Sequence, residues 1–125
     1  MKPLFPSAKE ALLRGQMDLL VDTFKLAMVS GYTYDDTDAL LADVIEVVGT
    51  PEVITVTNVS GGVAIVDDIV FPDVTGTDPI TGLIAYQDGS TALLCYVDQR
   101  ADTVPLGIVP NGGDLTFSFD HLVKI

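Results

Sequence analysis

Carboxylates are the abundant chemistry of this chain, and their densest group is Asp35-Asp36-Thr37-Asp38. An EF-hand loop needs acids at positions one, three and five and glycine at six, whereas counting from Asp36 the fifth position is Leu40. Asp35, Asp36 and Asp38 therefore stand as a non-EF calcium candidate, set against the ordinary roles of loop aspartates in helix capping and solvation. Asp67 and Asp68 are adjacent on an extended segment, so their side chains diverge and form no acid/base pair by themselves. His121 is the single histidine, near the end of the chain and with no nucleophile-elbow motif to serve. Gly61-Gly62 and Gly112-Gly113 are followed by neither a helix nor a lysine, which excludes a phosphate cradle and leaves hairpin turns. Tyr32 and Tyr34, flanked by acids, either make a contact with a protein or sugar or fold back as a lid. Cys95, the single cysteine, sits between Leu94 and Tyr96 and reads as a small buried hydrophobe. No catalytic residue and no cofactor are expected, and the chain reads as a non-enzyme.

The elements that position these groups follow from local pattern. Asp88-Gly89 is a tight-turn signal at the centre of Thr81 to Gln99. A two-residue loop there, or a four-residue loop closing at Tyr86 and Thr91, would set Ala85 opposite Ala92 and Ile84 opposite Leu93. Both faces of that hairpin are apolar, which places it inside a sheet. Ser7 and Glu10 have the spacing of a capping box for a short helix that Gly15 ends, and Thr37 or Asp38 caps a second short helix over 39–45. Asp22 to Val29 alternates like a half-buried strand, and Leu115 to Phe119 does so again. Continuing that last alternation turns His121 inward with Val123, so a bulge near Asp120 is expected to turn it out. The result is one domain spanning 1–125 and mainly β. It reads as an antiparallel β-sandwich or small barrel of about seven strands with two short helices in the N-terminal half.

Eighteen acidic residues against six basic ones give a formal charge of −12, which opposes nucleic acid and anionic membranes as partners. No stretch has the length of a membrane span, and the start lacks a signal-peptide core, so a protein that stays soluble in the cytoplasm is expected. Four of the six basic residues (Lys2, Lys9, Arg14 and Lys25) lie in the first 25 positions. This asymmetry suggests copies or partners that meet end against body. Met1 to Arg14, with Lys2, Leu4, Phe5, Lys9 and Arg14, is the candidate anchoring segment, and Tyr32 and Tyr34 are further interface candidates.

Eight motifs in order carry a family resemblance. They are Leu4-Phe5-Pro6-Ser7-Ala8-Lys9-Glu10-Ala11, Asp22 through Val29, Tyr32-Thr33-Tyr34, Leu40 through Val44, Gly62 to Phe71, Tyr86-Gln87-Asp88, Tyr96-Val97-Asp98 and Pro110-Asn111-Gly112-Gly113-Asp114. Together they resemble the small virion proteins encoded in the structural modules of tailed bacteriophages. His121-Leu122 departs from that pattern, standing where it has a polar, Asn-rich turn. The resemblance implies a virion component assembled in the host cytoplasm, with other virion proteins and copies of itself as partners. It implies neither a position on head, neck or tail nor any catalytic residue. An adhesion module that binds host glycan or calcium through Tyr32, Tyr34 and the 35–38 loop is the alternative of a different class.

Overall fold

A computed structural model describes residues 4–98, 107–119 and 122–124. Lys2, His121, the bulge expected near Asp120 and the segment 99–106 lie outside the described residues.

The described chain is mainly β, with three antiparallel sheets and no closed barrel. In order the elements are α1 (Pro6–Leu13), β1 (Phe24–Val29), β2 (Val47–Ile54), β3 (Val56–Ser60), β4 (Val63–Val66), β5 (Ile69–Phe71), β6 (Gly82–Gln87), β7 (Leu93–Val97), β8 (Leu115–Phe117) and β9 (Val123–Lys124). The sheets run β2-β1-β6-β7, β3-β4-β9 and β5-β8. Nine strands among the described residues stand where about seven are expected, since a strand as short as the two-residue β9 shows no period.

The helix α1 forms where expected but starts differently. Pro6 occupies its first turn and Phe5 is the N-cap, without any side-chain capping bond. Proline has no N–H to satisfy there and its fixed φ suits a helix start, so the Ser7–Glu10 box is not made. The other end behaves as the glycine predicts: Gly15 has φ +71°, its N–H bonds to Leu12 O at 3.3 Å, and Gln16 N–H bonds to Ala11 O at 2.8 Å. This is the Schellman closure, which needs a residue tolerant of positive φ.

The second helix is absent. Residues 41–43 make a single 3₁₀ turn, and α1 is the one α-helix among the described residues. The Asp43 carboxylate accepts from the N–H groups of Ala39 and Leu40, at 3.0 and 3.1 Å. The backbone is also spent on β7, since Leu41 N–H bonds to Thr91 O and Leu93 N–H to Ala39 O. Side-chain bonds to the backbone and sheet pairing together outcompete the i to i−4 ladder.

Strands β6 and β7 are buried on both faces, as their composition demands. Strand β6 is flanked by β1 and β7, and the outer side of β7 is bridged by Leu4 at Cys95 and Leu40 at Ala92. The hairpin register differs from both expected forms: Ile84 faces Tyr96, Ala85 faces Cys95 and Tyr86 faces Leu93. The loop closes one step further out, with Gln87 N–H bonded to Ala92 O, and a bulge at Leu94 absorbs the difference. Distant partners hold that register, because Asp88 N–H bonds to Thr23 O at one end of the turn and Thr91 O accepts from Leu41 at the other. Strand β1 is buried at five of its six positions, not on one face only, because it lies between β2 and β6.

Candidate functional site

Polar side chains come together at several places among the described residues. The first is the segment that follows β1. Gly31, at φ +74°, turns the chain, and its N–H is held by Thr81 Oγ1 at 2.9 Å, which lays the next residues against the sheet. Tyr32 is 8% exposed, and its hydroxyl donates to Asp38 Oδ2 at 2.7 Å. Its ring meets that of Tyr96 edge-on, with centroids 5.1 Å apart. Tyr34 lies parallel to Tyr96 at 6.2 Å and against Phe5 at 5.1 Å, and its hydroxyl donates to Leu4 O at 3.2 Å. Tyr96 closes the group by donating to Tyr32 O at 3.3 Å. Of the two sequence readings, the geometry is that of a lid: both tyrosines are spent on the protein's own sheet and N-terminal segment.

The neighbouring acids are spent likewise. Asp35 accepts from the Thr37 hydroxyl at 2.7 Å and the Thr37 N–H at 2.9 Å, bonds that hold its carboxyl below the usual range. Asp38 accepts from Tyr32, while Asp36 is exposed. Among the described residues no three acidic, cysteine or histidine side chains are grouped to hold a metal. A calcium ion needs six or more oxygens converging on one point, and here the oxygens turn toward local donors instead.

Burial raises the pKa of Tyr32, Tyr34, Tyr86 and Tyr96 above the ordinary 10.0; for Tyr32 the bond to Asp38 adds to it. A raised folded pKa means the folded state holds its tyrosyl protons after the unfolded chain has begun to lose them. This stabilisation is whole below pH 10 and is lost as the pH rises above it. Tyrosinate absorbance is therefore expected to appear together with loss of the far-ultraviolet β signal in an alkaline titration. Ionisation near pH 10 in a chain that is still folded would contradict the lid.

The candidate anchor divides in two. Phe5 is fully buried in the core of this chain, and Leu4 is half-buried against it. Lys9 and Arg14 are exposed on α1, with Arg14 bonded to Glu10 at 3.0 Å. Nearby in the sequence are large apolar side chains that its pattern does not single out: Leu13 is 89% exposed, Val21 77% and Leu20 62%. Their one signal is the run Met17-Asp18-Leu19-Leu20-Val21, apolar yet fitted to neither the helix nor the strand period.

The second place is a cleft of about 450 Å³ between β2 and the turn after β5. A bulge creates it: Leu26 pairs with Glu52 but Met28 with Val48, so residues 49–51 loop out, and Gly49 takes φ +69°. Met28, Phe71 and Val74 are buried beneath, and Thr50, Glu52, Asp73 and Thr75 line the rim. Asp73 itself has φ +52°, and its N–H is fixed by Asp114 Oδ1 at 3.1 Å. Two carboxylates and two hydroxyls over an apolar floor suit a cation or a polyhydroxyl group, and the lining residues include no nucleophile with an adjacent base.

Comparison with family models, curated proteins and solved structures gives no match.

Proposed function

We propose that the chain is a non-enzymatic structural protein of a tailed-phage particle. In this reading it is present in many copies and docks on the capsid, as a decoration or head-fibre protein, or on a neck or tail appendage. The observation that carries the reading is the end of α1. Leu13, Leu20 and Val21 stand in solvent within the stretch that carries four of the six basic residues, on a chain whose remainder is almost wholly acidic. Exposed apolar side chains in the least acidic part of an acidic body suit docking on a partner. The three sheets are taken to pack as a sandwich behind it, which would hold that end rigid. The alternative, adhesion through Tyr32, Tyr34 and the 35–38 loop, has less support because those groups are turned inward or bonded locally.

The test is incorporation. Particles assembled with a Leu13→Asp/Leu20→Asp chain are expected to carry about tenfold less of it than particles assembled with the wild type, as read by quantitative mass spectrometry against the major capsid protein. Both sites are exposed, so folding is spared. Absence of the wild-type chain from purified particles would refute the virion role. Full incorporation of the double variant would refute the docking surface alone.

A further inference from the structure

The longest stretch free of charge in this acidic chain, Val53 to Val66, is 14 residues long and forms the end of β2, the whole of β3 and the whole of β4. It is not buried. Residues 57–60 of β3 are all exposed, and Val59 and Ile65 are among the large apolar side chains in solvent. Strands β3 and β4 form a tight hairpin: Ser60 pairs with Val63 across Gly61-Gly62, whose φ values of +59° and +78° are those of a type I′ turn.

Among the described residues strand β3 has a strand partner on one side only, since its sheet runs β3-β4-β9. Ser60 and Val63 flank a two-residue loop and so bond to each other, which turns the N–H and C=O of Val59 away from β4. Natural edge strands are guarded by lysine, proline or an inward charge. Here Val56–Ser60 reads Val-Thr-Asn-Val-Ser, with β-branched residues at three of its positions and none of those guards, and the only irregularity lies at its root, between Val56 and Asn58.

We infer that the open edge of β3 pairs antiparallel with β3 of a second copy, across a two-fold axis, into a continuous six-stranded sheet. The charge distribution selects a copy as the occupant. Two chains of −12 each repel wherever their acids meet, and this ribbon is where identical surfaces can touch without bringing like charges together. Antiparallel pairing is also self-complementary, as an isologous interface requires. The inference concerns the purified chain and does not depend on its place in a particle.

Sedimentation equilibrium and amide exchange test it. The wild-type chain is expected to dimerise within concentrations up to about 100 μM. Protection of the Val59 amide should rise with concentration, and the dimer should tighten with added salt as acidic repulsion is screened. Asn58→Asp, exposed and nearly isosteric, sets two new carboxylates near the axis and should weaken the dimer about tenfold, with an unchanged melting temperature at concentrations where both chains are monomeric. Val59→Pro removes the outward N–H and should abolish dimerisation. A wild-type chain that remains monomeric overturns the inference and leaves the edge to a strand of another protein. A dimer that survives both variants, or open-ended growth with concentration, overturns it equally.

Discussion

Phe5→Ala is expected to destabilise the fold by about 3–5 kcal/mol, the range for emptying a closed aromatic site in a core. Phe5 is fully buried, and its main chain is held as firmly as its ring: its N–H bonds to Leu94 O at 3.1 Å and its carbonyl accepts from Ala8 and Lys9. The ring supports Tyr34, whose hydroxyl reaches back to Leu4 O, so truncation leaves the lid without its floor. Collapse into the cavity is resisted because α1 is held on one side by Phe5 itself and on the other by the Gly15 closure. Phe5→Leu should cost much less, about 1–1.5 kcal/mol, since most of the volume is kept. Lys9→Ala, on the exposed face of the same helix, should stay within about 0.5 kcal/mol of wild type. Chemical denaturation of the three variants reads the difference. A Phe5→Ala chain as stable as Lys9→Ala would mean that the N-terminal segment is an appendage and not part of the core.

Gly82→Ala should cost about 2–3 kcal/mol, near the upper end for overpacking, although it adds one methyl group to a strand. A Cβ at position 82 would lie 2.5 Å from Tyr96 Cε1 and 2.9 Å from its hydroxyl oxygen. That ring cannot simply move aside: Tyr32 meets it edge-on, Tyr34 lies parallel to it, and its hydroxyl is bonded to Tyr32 O. The backbone cannot retreat either, because Gly82 pairs with Val29 within the central sheet. The cause is a collision, and a double-mutant cycle identifies it. Tyr96→Leu removes the obstructing ring, so Gly82→Ala combined with Tyr96→Leu should cost less than the sum of the two by about 1–2 kcal/mol. Strict additivity would show that the glycine serves some purpose other than making room for the ring.

Both predictions converge on the aromatic lid, which is also where sequence reasoning is most divided. Tyr32 and Tyr34 are visible in the sequence as residues that could face either way. What turns them inward is a set of contacts no local pattern encodes: Thr81 holding Gly31, Leu4 accepting from Tyr34, and the space left by Gly82 for Tyr96. The cleft beside β2 is hidden for a related reason. Gly49-Thr50-Pro51 has the composition of a helix stop, and only pairing with β1 on both sides of it makes the same residues a bulge.

By itself the sequence determined whatever depends on a residue and its near neighbours. Gly15 and Gly61-Gly62 take positive φ, the alternating runs become strands, and the doubly apolar stretches become β6 and β7, because backbone sterics and a period of two act within a few positions. The tertiary structure decided register, helix or no helix at 39–45, and which way each face points. Those outcomes turn on bonds such as Leu41 to Thr91 and Phe5 to Leu94, between groups separated by tens of residues, where a gain in pairing or burial outweighs local propensities worth only tenths of a kcal/mol each.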